Sequence, residues 1–520
     1  MNGAQALIQT LVGSGVEVCF ANPGTSEMHF MAALDHVPQM RGTLCLFEGA
    51  ATGAADGYAR MTGRPAAVLL HLGPGLSNGL ANLHNARRAN SPVVVVVGDH
   101  ATHHKRLDAP LESDIDAVAG SVSGWVRRSL RSADVAADTA EAVAAATSAP
   151  GQVATLVLPA DVSWSEGARP APPTAVRRPS PVPANTVESA AKALRSGERC
   201  VLMLGGRALR RPALDTADRI VRATGARLFG ETFPARQERG AGIPAVPRLA
   251  YRGEDARAQL AGAEHLILVG ARPPVTFFAY PGESGDLRPE GCTVHILATG
   301  ADDVDGALEH LADLVGARAG SAGRSTRSVR RPDRPRGALT AASLGAAVGA
   351  LLPEDAIMVD EAITASAALL AGLEGAPPHD WLALTGGAIG QGMPLAVGAA
   401  TAAPGRRVIN VEADGSAMYT LQALWTQARE GLDVTTVVVN NGSYGILAEE
   451  LRRVGAVASG TAAQSLLDLS TPALDFVALA RGMGVPAVRA RTAEEFTAHF
   501  AAAVAEPGPR LIEAVVTPTH

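Results

Sequence analysis

Two apolar runs end in side chains with hard oxygens: "VEADGSAMY" (411–419) in Asp414 and "VTTVVVNNGSYG" (434–445) in Asn441. Runs of this kind read as buried strands, and ligands of parallel α/β sheets bind beyond the carboxyl ends of strands. Gly415 and Ser416 follow the carboxylate, so backbone N–H groups can meet an anion at the start of the next helix. One carboxylate, one side-chain amide and the carbonyl of Ser443 make an oxygen shell of low negative charge. Such a shell suits Mg²⁺ already carrying diphosphate oxygens, which several carboxylates would repel. Asp-Gly and Asn-Gly turns are common at strand ends for structural reasons alone. The two together, with 26 residues between them, point to a cation–diphosphate site.

The elements that must position these groups occur twice. "GRPAAVLLHLGPG" (63–75) matches "GRRVINVEADGSA" (405–417), and "ARRANSPVVVVVGDH" (86–100) matches "AREGLDVTTVVVNNG" (428–442), both at an offset of 342. The first and last blocks thus read as two copies of one α/β unit. At that offset Asp414 pairs with Leu72, Asn441 with Asp99 and Glu48 with Gly390. The copies have specialised in opposite ways. In "LCLFEGAATGAADGYAR" (44–60) Glu48 sits at a strand end, entering a helix. A carboxylate there complements the helix dipole. An apolar setting of Phe47 and Ala50 would favour its neutral form. His71 ends the strand that matches the one carrying Asp414.

At 520 residues the chain is too long for one core. Strand-like runs alternating with Ala-rich amphipathic stretches indicate α/β layers with mostly parallel sheets. Residues 1–170 form the first expected domain and 186–316 the second, joined by the Pro-rich "EGARPAPPTAVRRPSPVPAN" (166–185). "ARAGSAGRSTRSVRRPDRPRG" (317–337) is a solvated linker to the third domain, 337–520. A net charge of −6 argues against a general nucleic-acid binder. Lysine occurs only at Lys105 and Lys192, so the basic residues are nearly all Arg. Four scattered cysteines form no CxxC pair, which fits a reduced cytosolic interior. The N-terminus lacks a basic signal-peptide region, and the apolar runs are too short to span a bilayer. A soluble cytoplasmic protein is expected.

"ADGS…VVVNNGS" resembles the motif of the thiamine-diphosphate (ThDP) dependent 2-oxo acid decarboxylase and acetolactate synthase superfamily, with Ala413 in place of a Gly. The resemblance covers essentially the whole chain in the family order: pyrimidine-binding, middle and diphosphate-binding domains. It implies Asp414, Asn441 and the Ser443 carbonyl as Mg²⁺ ligands. Gly415, Ser416, Tyr444 and Thr364 of "DEAITAS" (360–366) would serve the diphosphate region. It implies that Glu48 shares a proton with the aminopyrimidine, whose imino form generates the thiazolium ylid. In "GGAIGQGMP" (386–394), Ile389 falls on the position that wedges pyrimidine against thiazolium. Active sites shared between the subunits of a homodimer or homotetramer are implied as well.

Benzoylformate decarboxylases give the best pattern match. "NPGTSE" (22–27) places Thr25 to contact a substrate carboxylate, and "LLHLGPGLSN" (69–78) supplies His71 and Asn78. The second active-site histidine of those enzymes is replaced by Phe277, and Ile363 stands where they carry a hydroxyl. Leu111, Phe277, Ile363 and Ile446 are the expected substrate pocket, narrow and apolar, suited to an aliphatic 2-oxo acid. His103 and His104 read as loop residues. The middle domain has "LGGRALRR" (204–211) without GxGxxG, so FAD is possible but not favoured and the domain reads as vestigial. The expected activity is decarboxylation of a 2-oxo acid through the ylid and an enamine, with aldehyde release or carboligation. A non-catalytic ThDP- or nucleotide-binding regulator is the alternative, disfavoured by retention of Glu48. An NAD-dependent dehydrogenase fails for want of a Gly-rich fingerprint.

Overall fold

The computed structural model describes residues 1–317, 330–456 and 460–517; most of the expected 317–337 linker lies outside them. The first sheet contains β1 (Val18–Ala21), β2 (Arg41–Leu44), β3 (Ala66–His71), β4 (Val93–Asp99), β5 (Trp125–Arg128) and β6 (Val153–Pro159). All pair in parallel, in the order 2-1-3-4-6-5. Every residue of β4 and β6 is buried, which is why these strands are apolar without polar alternation, apart from Thr155 and the terminal Asp99.

Next come β7 (Cys200–Leu204), β8 (Arg227–Gly230), β9 (Gln237–Arg239), β10 (His265–Val269) and β11 (Thr293–Ala298). The middle sheet has the order 11-10-7-8, while β9 leaves it to pair antiparallel with the third sheet. That third sheet comprises β12 (Ile357–Glu361), β13 (His379–Ala383), β14 (Val408–Ala413), β15 (Val434–Asn440), β16 (Ala487–Ala490) and β17 (Arg510–Val515), in the order 16-17-15-14-12-13-9. Without β9 it reads 13-12-14-15-17-16, the topology of the first sheet. The internal repeat is therefore a repeat of fold.

The ladders correct one detail of the repeat. Ala66 lies opposite Val93 in the first copy and Val408 opposite Val434 in the third. The β14–β15 connection is thus one residue shorter than its counterpart, and Asp99 corresponds to Asn440. Asn441 lies one position beyond, on the turn.

The two copies meet through equivalent crossover helices, Glu48–Thr62 and Gly392–Ala402. A Cβ on Gly57 would lie 2.1 Å from the Leu395 carbonyl oxygen, and one on Gly398 1.8 Å from that of Ala54. Glycine is required at both crossing points because backbone approaches backbone. Across this junction Arg60 grips Asp56 with two hydrogen bonds (2.8 and 2.6 Å) and donates to Ala383 O and Thr385 Oγ1, each at 2.8 Å. Gln391 Nε2 donates to the same Asp56 at 2.7 Å. Among the described residues no helix is long and apolar enough to cross a membrane.

Candidate active site

Asp414 opens the short helix after β14 and is buried. Its Oδ1 accepts from Gly415 N at 2.8 Å; its Oδ2 accepts from Gly442 N at 2.8 Å and Asn441 N at 3.1 Å. Gly442 reaches this carboxylate with φ +67°, a backbone state that favours glycine. Asn441 Oδ1 accepts from Ser443 N at 2.9 Å, which orients the amide. Burial pushes the Asp414 carboxyl above its ordinary value while the surrounding N–H groups pull it down. A hard cation beside it would relieve that desolvation. The donor set has a single carboxylate and fits Mg²⁺ that arrives with diphosphate. Ser416 is buried on the same turn. Tyr444 lies against Gly415, where a side chain would strike its ring. Thr364 Cγ2 lies 3.8 Å from the Cβ position of Gly445, bringing the 363–365 turn to the site. Ile363 in that turn takes φ +50°, strained for a β-branched residue.

Two carboxyls that sequence reasoning missed lie beneath this turn. Glu361 ends β12, opposite Glu412 of β14, and both are buried. Burial pushes Glu361 up to about 7. Burial also raises Glu412, and the charge of Glu361 adds to that shift. Burial and mutual repulsion both oppose ionisation of the two acids at once. Glu361 accepts from Gly390 N at 2.6 Å and Gly392 N at 2.5 Å, gripping the loop that carries Ile389.

On the first copy Glu48 opens its helix, as expected, and its carboxylate accepts from Asn78 Nδ2 at 3.1 Å. The setting is less enclosed than the sequence suggests, for Glu48 is half-buried and Asn78 exposed. His71 is near: a Cβ on Gly75 would lie 3.3 Å from Glu48 Oε1 and 3.4 Å from His71 Cβ. The ring of His71 is held by Glu27, whose carboxylate lies 3.0 Å from Nδ1. Ser26 Oγ approaches the same nitrogen at 3.2 Å. Glu27 is 1 % exposed and also accepts from Gly24 N at 2.7 Å. The hydroxyl on His71 is therefore that of Ser26, while Thr25 stands exposed on the turn. Glu27 escaped the sequence reading because 44 residues separate it from His71; "NPGTSE" was its only signal.

The middle block supplies a wall. Phe277 lies over Gly387, where a Cβ would come 2.6 Å from its Cζ. It packs against Phe233, Tyr251 and Phe278. Tyr280 and Tyr251 both donate to Glu450, at 2.9 and 3.4 Å, and Arg453 stacks 4.7 Å from the Tyr280 ring centre. This strap ties the helix Gly445–Arg453, which carries half-buried Ile446, to the segment bearing Phe277. Leu111 is exposed on a loop tied to β4 through Lys105, whose ammonium contacts Asp99 at 3.1 Å and also Glu112. His103 is exposed on that loop, and the His104 ring packs against that of His100 at a tilt of 47°.

A duplicated parallel sheet with Asp414 and Asn441 at one copy's strand ends and the helix-opening Glu48 on the other is an arrangement suited to an enzyme that binds ThDP. The profile "Thiamine pyrophosphate enzyme, N-terminal TPP binding domain" matches residues 1–119, and its C-terminal counterpart matches 364–514. The chain belongs to this family of ThDP-dependent enzymes, with the acetolactate synthases and benzoylformate decarboxylases. It is 63 % identical, over 99 % of both chains, to IlvX of Mycobacterium tuberculosis, provisionally named an acetolactate synthase large subunit. It is 31 % identical over 96 % of both chains to the benzoylformate decarboxylase of Pseudomonas aeruginosa. Among solved structures, the Rhodococcus jostii RHA1 ThDP-dependent 4-hydroxybenzoylformate decarboxylase matches over 100 % of both chains, with a TM-score of 0.86 and 26 % identity.

Proposed function

We propose that this chain decarboxylates an aliphatic 2-oxo acid with Mg²⁺ and ThDP, and either releases the aldehyde or joins the fragment to a second carbonyl compound. The observation that carries this reading is the division of labour between the two copies: Asp414 and Asn441 at one strand-end site, Glu48 at the other. When bound, ThDP supplies the carbon nucleophile and electron sink that loss of CO₂ requires. Asp414, Asn441 and the Ser443 carbonyl would hold the metal. Gly415, Ser416, Thr364 and Tyr444 would frame the diphosphate, and Ile389 would press on the rings. Glu48, steadied by Asn78, holds the proton exchanged with the aminopyrimidine nitrogen. Retention of this acid disfavours a non-catalytic regulator.

Glu27 fixes His71 through Nδ1, which leaves Nε2 as the nitrogen available to substrate. Thr25 on the neighbouring turn would meet the substrate carboxylate. Phe277, Ile363, Ile446 and Leu111 make the pocket apolar, and two branched aliphatic chains narrow it. FAD is not part of this reading. Gly206 N, at the crevice after β7, already donates to Glu231 Oε1 at 2.8 Å, so a carboxylate of the chain itself occupies the anion position. The half-exposed Glu48–Asn78 edge supports a homodimer or homotetramer with sites built from two chains. All four cysteines are free, in keeping with a cytoplasmic protein.

The test is incubation of pure protein, ThDP and Mg²⁺ with a panel of 2-oxo acids, reading CO₂ and organic products. Pyruvate or a short branched homologue should surpass benzoylformate. One methylene of misfit is worth only ~1–3 kcal/mol, so the preference is modest. Changing Ile363 and Ile446 together to alanine should move relative kcat/KM toward the aryl acid. A wild-type preference for benzoylformate would overturn the substrate assignment, and CO₂ release from none of the acids would overturn the reaction.

A further inference from the structure

The loop 385–391 between β13 and the helix Gly392–Ala402 has no regular structure, so its backbone polar groups need partners from elsewhere. Those partners converge on the two residues flanking Ile389. Ahead of it, Asn85 Nδ2 donates to Ala388 O at 2.8 Å, and Ala388 N donates to Asn85 Oδ1 at 3.3 Å. Behind it, Thr420 Oγ1 and Asn82 Nδ2 donate to Gly390 O at 2.8 and 3.3 Å. Two further N–H groups, of Gly390 in the loop and Gly392 just after it, are taken by the two oxygens of Glu361. The same residue lies in register with Glu412 of β14, two residues before Asp414. One residue therefore joins the strand pair that leads into the Asp414 turn to the loop at the ring end.

We infer that Glu361 is a positioning residue: by gripping the N–H groups of Gly390 and Gly392 from beneath, it holds Ile389 at a fixed distance from the Asp414–Ser416 turn. The inference rests on the ThDP reading above, in which Ile389 meets the cofactor rings. It explains why a carboxyl stands in a buried position on a strand end. Two N–H donors need two acceptor oxygens, and an amide would turn an NH₂ group toward one of them. A merely structural acid would support folding without affecting the geometry of bound cofactor.

The experiment compares wild type, Glu361→Gln, Ile389→Ala and the double variant. Three quantities are read: calorimetric binding of ThDP with Mg²⁺, unfolding temperature without cofactor, and exchange of the thiazolium C2 proton in deuterated water. Each single variant should still bind ThDP but slow the exchange about 10²-fold, the scale of a misplacement near 1 Å. The double variant should be no slower than the worse single one, because both changes release the same contact. Wild-type exchange in Glu361→Gln, or losses that multiply in the double variant, overturns the inference. Glu361→Asp, which keeps both oxygens but withdraws them by one methylene, should fall between wild type and Gln. Amide exchange in the unmutated, cofactor-free protein tests the grip itself even if the variants fail to fold. Gly390 and Gly392 N–H groups should be protected, and rapid exchange there refutes the grip. Failure of wild type to accelerate C2 exchange would refute the ThDP reading, while the protection data would still report on the loop.

Discussion

Glu48 and Asp414 are both carboxylates at the start of a helix after a strand, yet their surroundings assign them different work. Asp414 is buried under three backbone N–H groups, while Glu48 has one amide partner and an open side. Asp414→Ala removes the only carboxylate from the proposed shell and should abolish calorimetric ThDP binding in the presence of Mg²⁺. Glu48→Gln keeps the shape and one hydrogen bond but cannot pass a proton. Cofactor should still bind to it, with C2-proton exchange slowed about 10²–10⁴-fold. Equal exchange rates in wild type and Glu48→Gln would remove Glu48 from the mechanism. Asp414, Asn441 and Glu48 were legible in the sequence because each lies at a strand end beside glycine. Glu361 and Glu27 were not. The partners of Glu361 are backbone N–H groups, which carry no residue type, and Glu27 meets His71 only through the β1–β3 pairing.

At the scale of elements, the doubled α/β unit was readable because its buried strands are near-continuous Val, Ile and Leu runs. The one-residue difference between the β3–β4 and β14–β15 connections was not, since a gapless match of apolar residues conceals a slip that only ladder register reveals. The short β9 was equally hidden; "QER" gains its strand character by pairing with β13. The crossover helices depend on the Asp56–Arg60 pair, both residues nearly fully buried. Asp56→Ala strands a buried guanidinium and should cost about 3–5 kcal/mol in denaturant unfolding.

Glu231, after β8, offers a pH test. Desolvation pushes its carboxyl from an ordinary 4.5 up to about 7, against the pull of Gly206 N–H. A folded-state pKa above the unfolded one gives stability that is complete below about pH 4.5 and lost as pH rises through about 7. Glu231→Gln keeps an acceptor for Gly206 without the ionisation. Its unfolding temperature, followed from pH 4.5 to 8, should lack the decline that this group imposes on wild type, and the variant should be the more stable at pH 8. Parallel curves for the two proteins would show that the carboxyl does not titrate in this window.

For the whole molecule, the question is where a complete site forms. Within one chain the two copies are bound together by the crossover helices, by Arg60 and by Asn82 and Asn85 on the 388–390 loop. The Glu48–Asn78 edge nevertheless stands half open to solvent. A second chain that brought its Asp414 turn to this edge would close the site, and an isologous dimer would form two such sites at once. Glu48→Gln and Asp414→Ala chains, each inactive alone, then become complementary. In a mixed dimer one site combines Glu48 of the Asp414→Ala chain with Asp414 of the Glu48→Gln chain and is wholly wild type; the other carries both defects. Random re-pairing makes half the dimers mixed, so recovered activity should approach roughly a quarter of wild type. Sites contained within one chain would recover nothing, because every chain carries a lesion. Subunit exchange is verified with two distinguishable tags, and absence of activity in tag-confirmed mixed dimers would place Glu48 and Asp414 of each site on the same chain.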